Sequence, residues 1–213
     1  MSTVSFSVLV TGVSLVVGCS QNYSDKRAHE ALAEHGLEAV EAKPTKDGGS
    51  THTVPGRIDM GGLTATSPAG WEQLTPSSSM RLAEFNLPTQ PAGGGDATLA
   101  IFYFGRGQGG SVEHNIERWY GQFEQPDGGS TKQRSRRWQE TVYGMPVTMV
   151  DVTGTFTAGM GPGAGTDEPA PGYRMLGAIV ESDKGPFFFK LIGPQSTVSH
   201  WSQSFTAFIS SIQ

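Results

Sequence analysis

The stretch Thr98-Leu99-Ala100-Ile101-Phe102-Tyr103-Phe104 is a nearly continuous apolar run. Gly105-Arg106-Gly107-Gln108-Gly109-Gly110 follows it, and Ser111 to Phe123 then places Val112, Ile116, Trp119 and Phe123 at intervals of four, three and four. The run predicts a strand covered on both faces. The glycines predict a loop, and the spacing predicts one apolar face of a helix. Ser111 suits the helix N-cap, because its hydroxyl accepts from a free backbone N–H of the first turn.

Strand-like segments continue on either side. Met80 to Leu87 alternates, which predicts Met80 and Leu82 inward with Arg81 and Glu84 turned away, until Pro88 and the glycines from Gly93 end it. After a Pro126-Asp127-Gly128-Gly129 turn come Gln133 to Tyr143, Val147 to Phe156, Tyr173 to Glu181 and Phe187 to Ile192. Hairpin breaks fall at Gly144-Met145-Pro146 and Asp183-Lys184-Gly185-Pro186. Gly159 to Gly172 is too rich in Gly and Pro to pack and reads as an exposed excursion. Ser196 to Gln213, with Val198, Trp201, Phe205, Phe208 and Ile212 in step, predicts a second amphipathic helix. Strands joined by short turns run antiparallel. The expected fold class is therefore α+β, a single antiparallel sheet with helices packed on it, over residues 61–213. Phe187, Phe188 and Phe189 cannot all face one way, so Phe188 is assigned to the sheet's other face or to an exposed anchor.

Residues 19–60 are polar, with Pro44, Asp47-Gly48-Gly49-Ser50 and Pro55-Gly56 as breaks, and read as a flexible stalk. Ser24 to Glu41 has helix-forming composition but no full apolar stripe. Before it, an apolar run beginning near Val4 closes on Val16-Val17-Gly18-Cys19, which resembles the bacterial lipobox. That resemblance implies a lipoprotein signal peptide over residues 1–18, cut before Cys19, whose thiol carries a diacylglyceryl group. Ser20 rather than Asp at the next position implies the outer membrane, facing the periplasm, in a Gram-negative cell. Met1-Ser2-Thr3-Val4 lacks the usual positive n-region. An uncleaved apolar N-terminus, or a cut at Gly12 or Ser14, is the other reading. The apolar segment is shorter than the ~20 residues of a spanning helix. Cys19 is the single cysteine among 213 residues, so no internal disulfide forms, and a net charge of -5 argues against nucleic-acid binding.

The order of elements, with Gly70-Trp71 at the opening, a helix after Thr98 to Phe104, a meander and a C-terminal helix, resembles the PsbP-like fold, an αβα sandwich. That family includes the extrinsic PsbP subunit of the photosynthetic oxygen-evolving complex, the Mog proteins that bind the GTPase Ran, and small bacterial envelope lipoproteins. Met80-Arg81-Leu82-Ala83, Phe104 to Gly110, Asn115-Ile116-Glu117-Arg118-Trp119 and Tyr173-Arg174-Met175-Leu176-Gly177 are also similar to an uncharacterised group of bacterial secreted proteins. The resemblance implies a binding or accessory role by analogy of fold.

Candidate chemistry is sparse. Gly105 to Gly110 satisfies the dinucleotide pattern G-x-G-x-x-G, yet a hairpin meander follows the helix, and Glu140 lies inside its strand rather than at its end. A tight strand-to-helix connection explains the glycines, and the amides of Gly109, Gly110 and Ser111 with Arg106 are candidates to hold an anion or a partner's carboxylate. His29-Glu30-Ala31-Leu32-Ala33 lacks the second histidine of a zinc-protease motif, and His35, His52, His114 and His200 stand apart. No G-x-S-x-G or S-x-x-K occurs. Lys132, Arg134, Arg136 and Arg137 form a basic cluster beside Trp138, and Arg134 and Arg136 are expected on one strand face, free for an anionic surface or partner or simply protecting a sheet edge. No spacing unites the carboxylates Glu84, Asp151 and Glu181. The expectation is a non-catalytic binding or accessory lipoprotein of the cell envelope, without cofactor or metal. It would be held to the membrane through Cys19 and meet an envelope protein partner. The alternative is a carrier of a small ligand or anion at Gly105 to Ser111.

Overall fold

The computed structural model describes residues 56–89, 94–157 and 168–213. Strands are β1 Arg57–Asp59, β2 Thr64–Thr66, β3 Glu72–Leu74, β4 Arg81–Leu87, β5 Ala97–Tyr103, β6 Phe123–Glu124, β7 Arg136–Val142, β8 Met145–Phe156, β9 Ala170–Ser182 and β10 Gly185–Pro194. Helices are α1 Val112–Tyr120, α2 Thr131–Arg134 and α3 Gln195–Ser210. Residues 1–18, Cys19 and the stalk as far as residue 55 lie outside the described residues.

The main sheet has eight strands in the order β3-β4-β5-β10-β9-β8-β6, with β7 also on β8, and every pairing is antiparallel. β1 and β2 form a separate two-stranded sheet, which corrects the expectation of a single one. Strands of three residues are too short to show a period, so the sequence pattern does not reveal them. Ile58 and Met60 are buried in the core, so the fold takes in the last residues of the expected stalk. Thr64 and Gln213 exchange two backbone hydrogen bonds, tying β2 to the segment after α3.

Both faces of the sheet are covered, because the central strands alternate apolar residues to each side. On one face Val198, Trp201, Phe205 and Phe208 of α3 pack with Phe85, Leu99, Ile101, Phe187 and Phe189. On the other, Ile116, Trp119 and Tyr120 of α1 meet Val150, Val152, Met175, Ile179 and Phe188. Phe188 therefore covers the second face, as its position between two inward neighbours requires. Helix α1 lies very close to the sheet, and Gly177 makes this possible: a Cβ there would fall 2.5 Å from the Trp119 ring. On the α3 face, Arg174 holds Asp151 through two hydrogen bonds of 2.9 Å and reaches Ser199 of α3 with a third.

Four local readings change. The hairpin break expected at Gly144-Met145-Pro146 falls at Tyr143-Gly144, because those two residues take the positive φ of a two-residue turn and leave Met145 and Pro146 in β8. β4 buries Ala83, Phe85 and Leu87, while Met80 and Leu82 are exposed and Glu84 is buried, the reverse of the expected facing. The register shifts between Arg81 and Ala83, and one extra residue in a strand turns every later side chain over. The segment from Gln133 begins in α2, not in a strand, because Ser130 caps that turn by accepting from the Gln133 N–H. Ala170–Gly172, read as part of an excursion, already belong to β9.

Candidate functional site

Ser111 caps α1 as expected, accepting from the His114 N–H at 3.2 Å. Gly105, Gly107, Gly109 and Gly110 all have positive φ, a region open to glycine at no steric cost. A Cβ on Gly109 would lie 2.8 Å from the Phe188 ring, so the second core itself demands that glycine. Buried Asn115 donates to the carbonyls of Gly109 and Ser111 at 2.8 and 2.9 Å and accepts from Arg118, which fixes the loop on α1. After α1 the next strand, β6, lies four places from β5. A dinucleotide fold places it beside its predecessor. The glycine pattern here serves a strand-to-helix turn.

Gly110 and Ser111 border an open depression of about 490 Å³, also lined by Glu113, Arg137 and Glu181. Arg137 donates to Glu113 at 2.6 Å, and this hydrogen bond holds Glu113 below the usual carboxylate range. The α1 N-terminus thus faces two carboxylates, an unfavourable setting for an anion. Arg106 is exposed at the loop and does not line the depression.

The basic cluster is not one surface. Arg134 sits on α2 and pairs with Asp127, Lys132 pairs with Glu117 at 2.5 Å, and Arg137 pairs with Glu113. Arg136 and Arg137 open β7 on opposite faces, and the Arg136 guanidinium lies 5.5 Å from the Trp138 ring centroid. The expectation that Arg134 and Arg136 share a strand face fails because α2 intervenes. Asp127, lowered chiefly by the Gly129 N–H and then by Arg134, belongs to the turn that starts α2. Of the carboxylates, Glu84 pairs with Arg81 and accepts from the Ser77 N–H at 2.8 Å, Asp151 is held by Arg174, and Glu181 stands on the α1 face. The three do not converge. Among the described residues no group of three His, Cys, Asp or Glu side chains is placed to hold a metal. His200 packs edge-on against Trp201. No described helix is long and apolar enough to cross a membrane.

Two features escape a reading by motif. Lys190 faces the α1 side, its Nζ 2.5 Å from Gln122 Oε1 and 5.3 Å from the Phe156 ring centroid. Burial, followed by the charges of Arg118 and Arg81, lowers its pKa to about 8. Its signal in the sequence is a lysine at an inward position of the run Phe187 to Ile192.

The second feature is the sheet end where β5 and β9 finish and β4, β8 and β10 begin. Four large apolar side chains stand exposed there: Tyr143 at 77%, Met80 at 53%, Phe104 at 42% and Leu82 at 39%. Arg106 and Lys184 lie at the same end, neither with a carboxylate within ion-pair distance among the described residues.

No protein-family model matches the chain, and no curated protein does. Among solved structures, CyanoP, the cyanobacterial PsbP of Synechocystis sp. PCC 6803, aligns at 11% identity over 80% of this chain and 99% of its own, with a TM-score of 0.46. PA94, a Pseudomonas aeruginosa protein of unknown function, aligns at 12% identity over 74% of this chain and 94% of its own, with a TM-score of 0.42.

Proposed function

We infer that this chain is a membrane-anchored, non-catalytic binding or accessory lipoprotein of the bacterial cell envelope, with a PsbP-like domain held to the membrane through Cys19. The observation that carries the binding role is the sheet end bearing Met80, Leu82, Phe104 and Tyr143, because such apolar surface is normally covered by something. The charged groups support a structural use: four of the described cations are committed to ion pairs that join one element to another or brace a turn, and Arg81 pairs with Glu84 within β4. The anchor rests on Val16-Val17-Gly18-Cys19. A carrier of a small anion at Gly105 to Ser111 is the weaker reading, since Glu113 and Glu181 stand beside it.

The test is envelope fractionation with mass spectrometry of the mature N-terminal peptide, alongside Cys19→Ala. A diacylglyceryl mass on Cys19, with Cys19→Ala released from the membrane, supports the reading. An unmodified Cys19, or equal retention of the variant, refutes the anchor.

A further inference from the structure

We propose that the exposed sheet end docks on the phospholipid bilayer itself, so that the domain lies against the membrane by its turn tips. The proposal rests on the envelope reading above. Its foundation is the geometry of Tyr143.

Tyr143 and Gly144 form the two-residue turn between β7 and β8, with φ of 48° and 79°. Two positive φ values mark the hairpin turn that favours Asn-Gly. A bulky residue in the left-handed region is strained, by roughly 1–2 kcal/mol. Here that position holds the most exposed large apolar side chain described, 77% open to solvent. A strained position that carries an exposed aromatic ring points to a use outside the fold.

The neighbours extend the argument. Met80 and Leu82 flank the start of β4, and Phe104 follows β5. β4 and β8 are four strands apart, which spreads these side chains over about 20 Å at ~4.8 Å per strand. Side chains spread over that span are too far apart to close on a single ligand group, whereas an extended, deformable surface can meet them together. Tyr and Phe beside Arg106 and Lys184 is the composition that suits the headgroup boundary, with Asp183 as the acid in the same turn. The 37 residues from 19 to 55 reach at most about 130 Å, so an anchored domain stays close to the bilayer.

The experiment uses the mature chain, residues 19–213 with Cys19→Ser, and sedimentation with vesicles of phosphatidylethanolamine and phosphatidylglycerol. Tyr143→Asn with Met80→Ser is compared with the parent, and thermal unfolding confirms that both are folded. Asn is at home at positive φ, so this change leaves the turn intact. Partitioning is expected to fall about tenfold, the loss when on the order of 60 Å² of apolar surface stays in water. Equal partitioning of the two chains, or no sedimentation of the parent, overturns the proposal. A lipid-bearing Cys19 together with equal partitioning refutes the docking alone. An unmodified Cys19 together with a tenfold loss refutes the anchor alone.

Discussion

Replacing Lys190 by Met removes a charge that the fold has to keep in a poorly hydrated place. The fall of its pKa from 10.5 to about 8 means that the unfolded chain holds the proton more tightly than the folded one. At ~1.4 kcal/mol per pH unit, that difference costs the native state about 3 kcal/mol at pH 7. Loss of the Gln122 hydrogen bond and of the contact with Phe156 returns about 1–2 kcal/mol of this. Lys190→Met is therefore expected to be about 1–2 kcal/mol more stable at pH 7. The pH dependence is the sharper test. Because the pKa is depressed, the native state is penalised fully below about pH 8, and the penalty fades as pH rises toward 10.5. Stability of the parent should gain about 2 kcal/mol relative to the variant's between pH 7 and pH 9.5. Arg118 and Arg81 are the charges facing Lys190 in both chains, and titrations common to the two chains cancel in the comparison. Urea unfolding of both chains at the two pH values measures this. Parallel changes, with the variant no more stable at pH 7, would refute the assignment of a buried, destabilised ammonium.

Gly177→Ala should destabilise by about 1–2 kcal/mol in the same assay, since overpacking against Trp119 and Val150 (about 1–3) outweighs the ~0.5–1 gained by removing a strand glycine. An unchanged midpoint would mean that α1 shifts freely on the sheet. Glu84→Gln leaves the Arg81 charge largely buried without its partner, and a loss of about 2–4 kcal/mol is expected by denaturant titration. Tyr143→Asn alone should raise stability by about 1 kcal/mol through relief of the positive φ, read as a higher unfolding midpoint. A lower midpoint would show that the ring supports the fold.

The long elements are legible in the sequence because burial on both faces writes itself as uninterrupted apolar runs. β5 is such a run, β8, β9 and β10 are apolar stretches broken by polar residues between turn signals, and α1 and α3 show their stripes at helical spacing. The facing of β4 is misread because Met80-Arg81-Leu82-Ala83 fits either parity. The heavier set Ala83, Phe85 and Leu87 decides it once the register shift is allowed. The basic cluster misleads for a different reason. The acids that neutralise it, Glu113, Glu117 and Asp127, lie on α1 and in the turn before α2, and only the folded chain brings them opposite their partners. Glycine spacing misleads similarly, because Gly109 answers to Phe188, a residue far along the chain. Tyr143 is misread as strand because a bulky aromatic stands where a two-residue hairpin prefers Asn before Gly.

The most direct measurement places a photoreactive benzoylphenylalanine at position 143 and, in a second chain, at exposed Ser196 beyond the opposite end of β10. Both chains carry native Cys19 and are irradiated in the native envelope. Phospholipid adducts at position 143 and none at 196 are the expected result. A protein adduct at 143 alone would keep the binding role and contradict the lipid docking. Silence at 143, or equal labelling at the two positions, would contradict the assignment of this sheet end as the working surface.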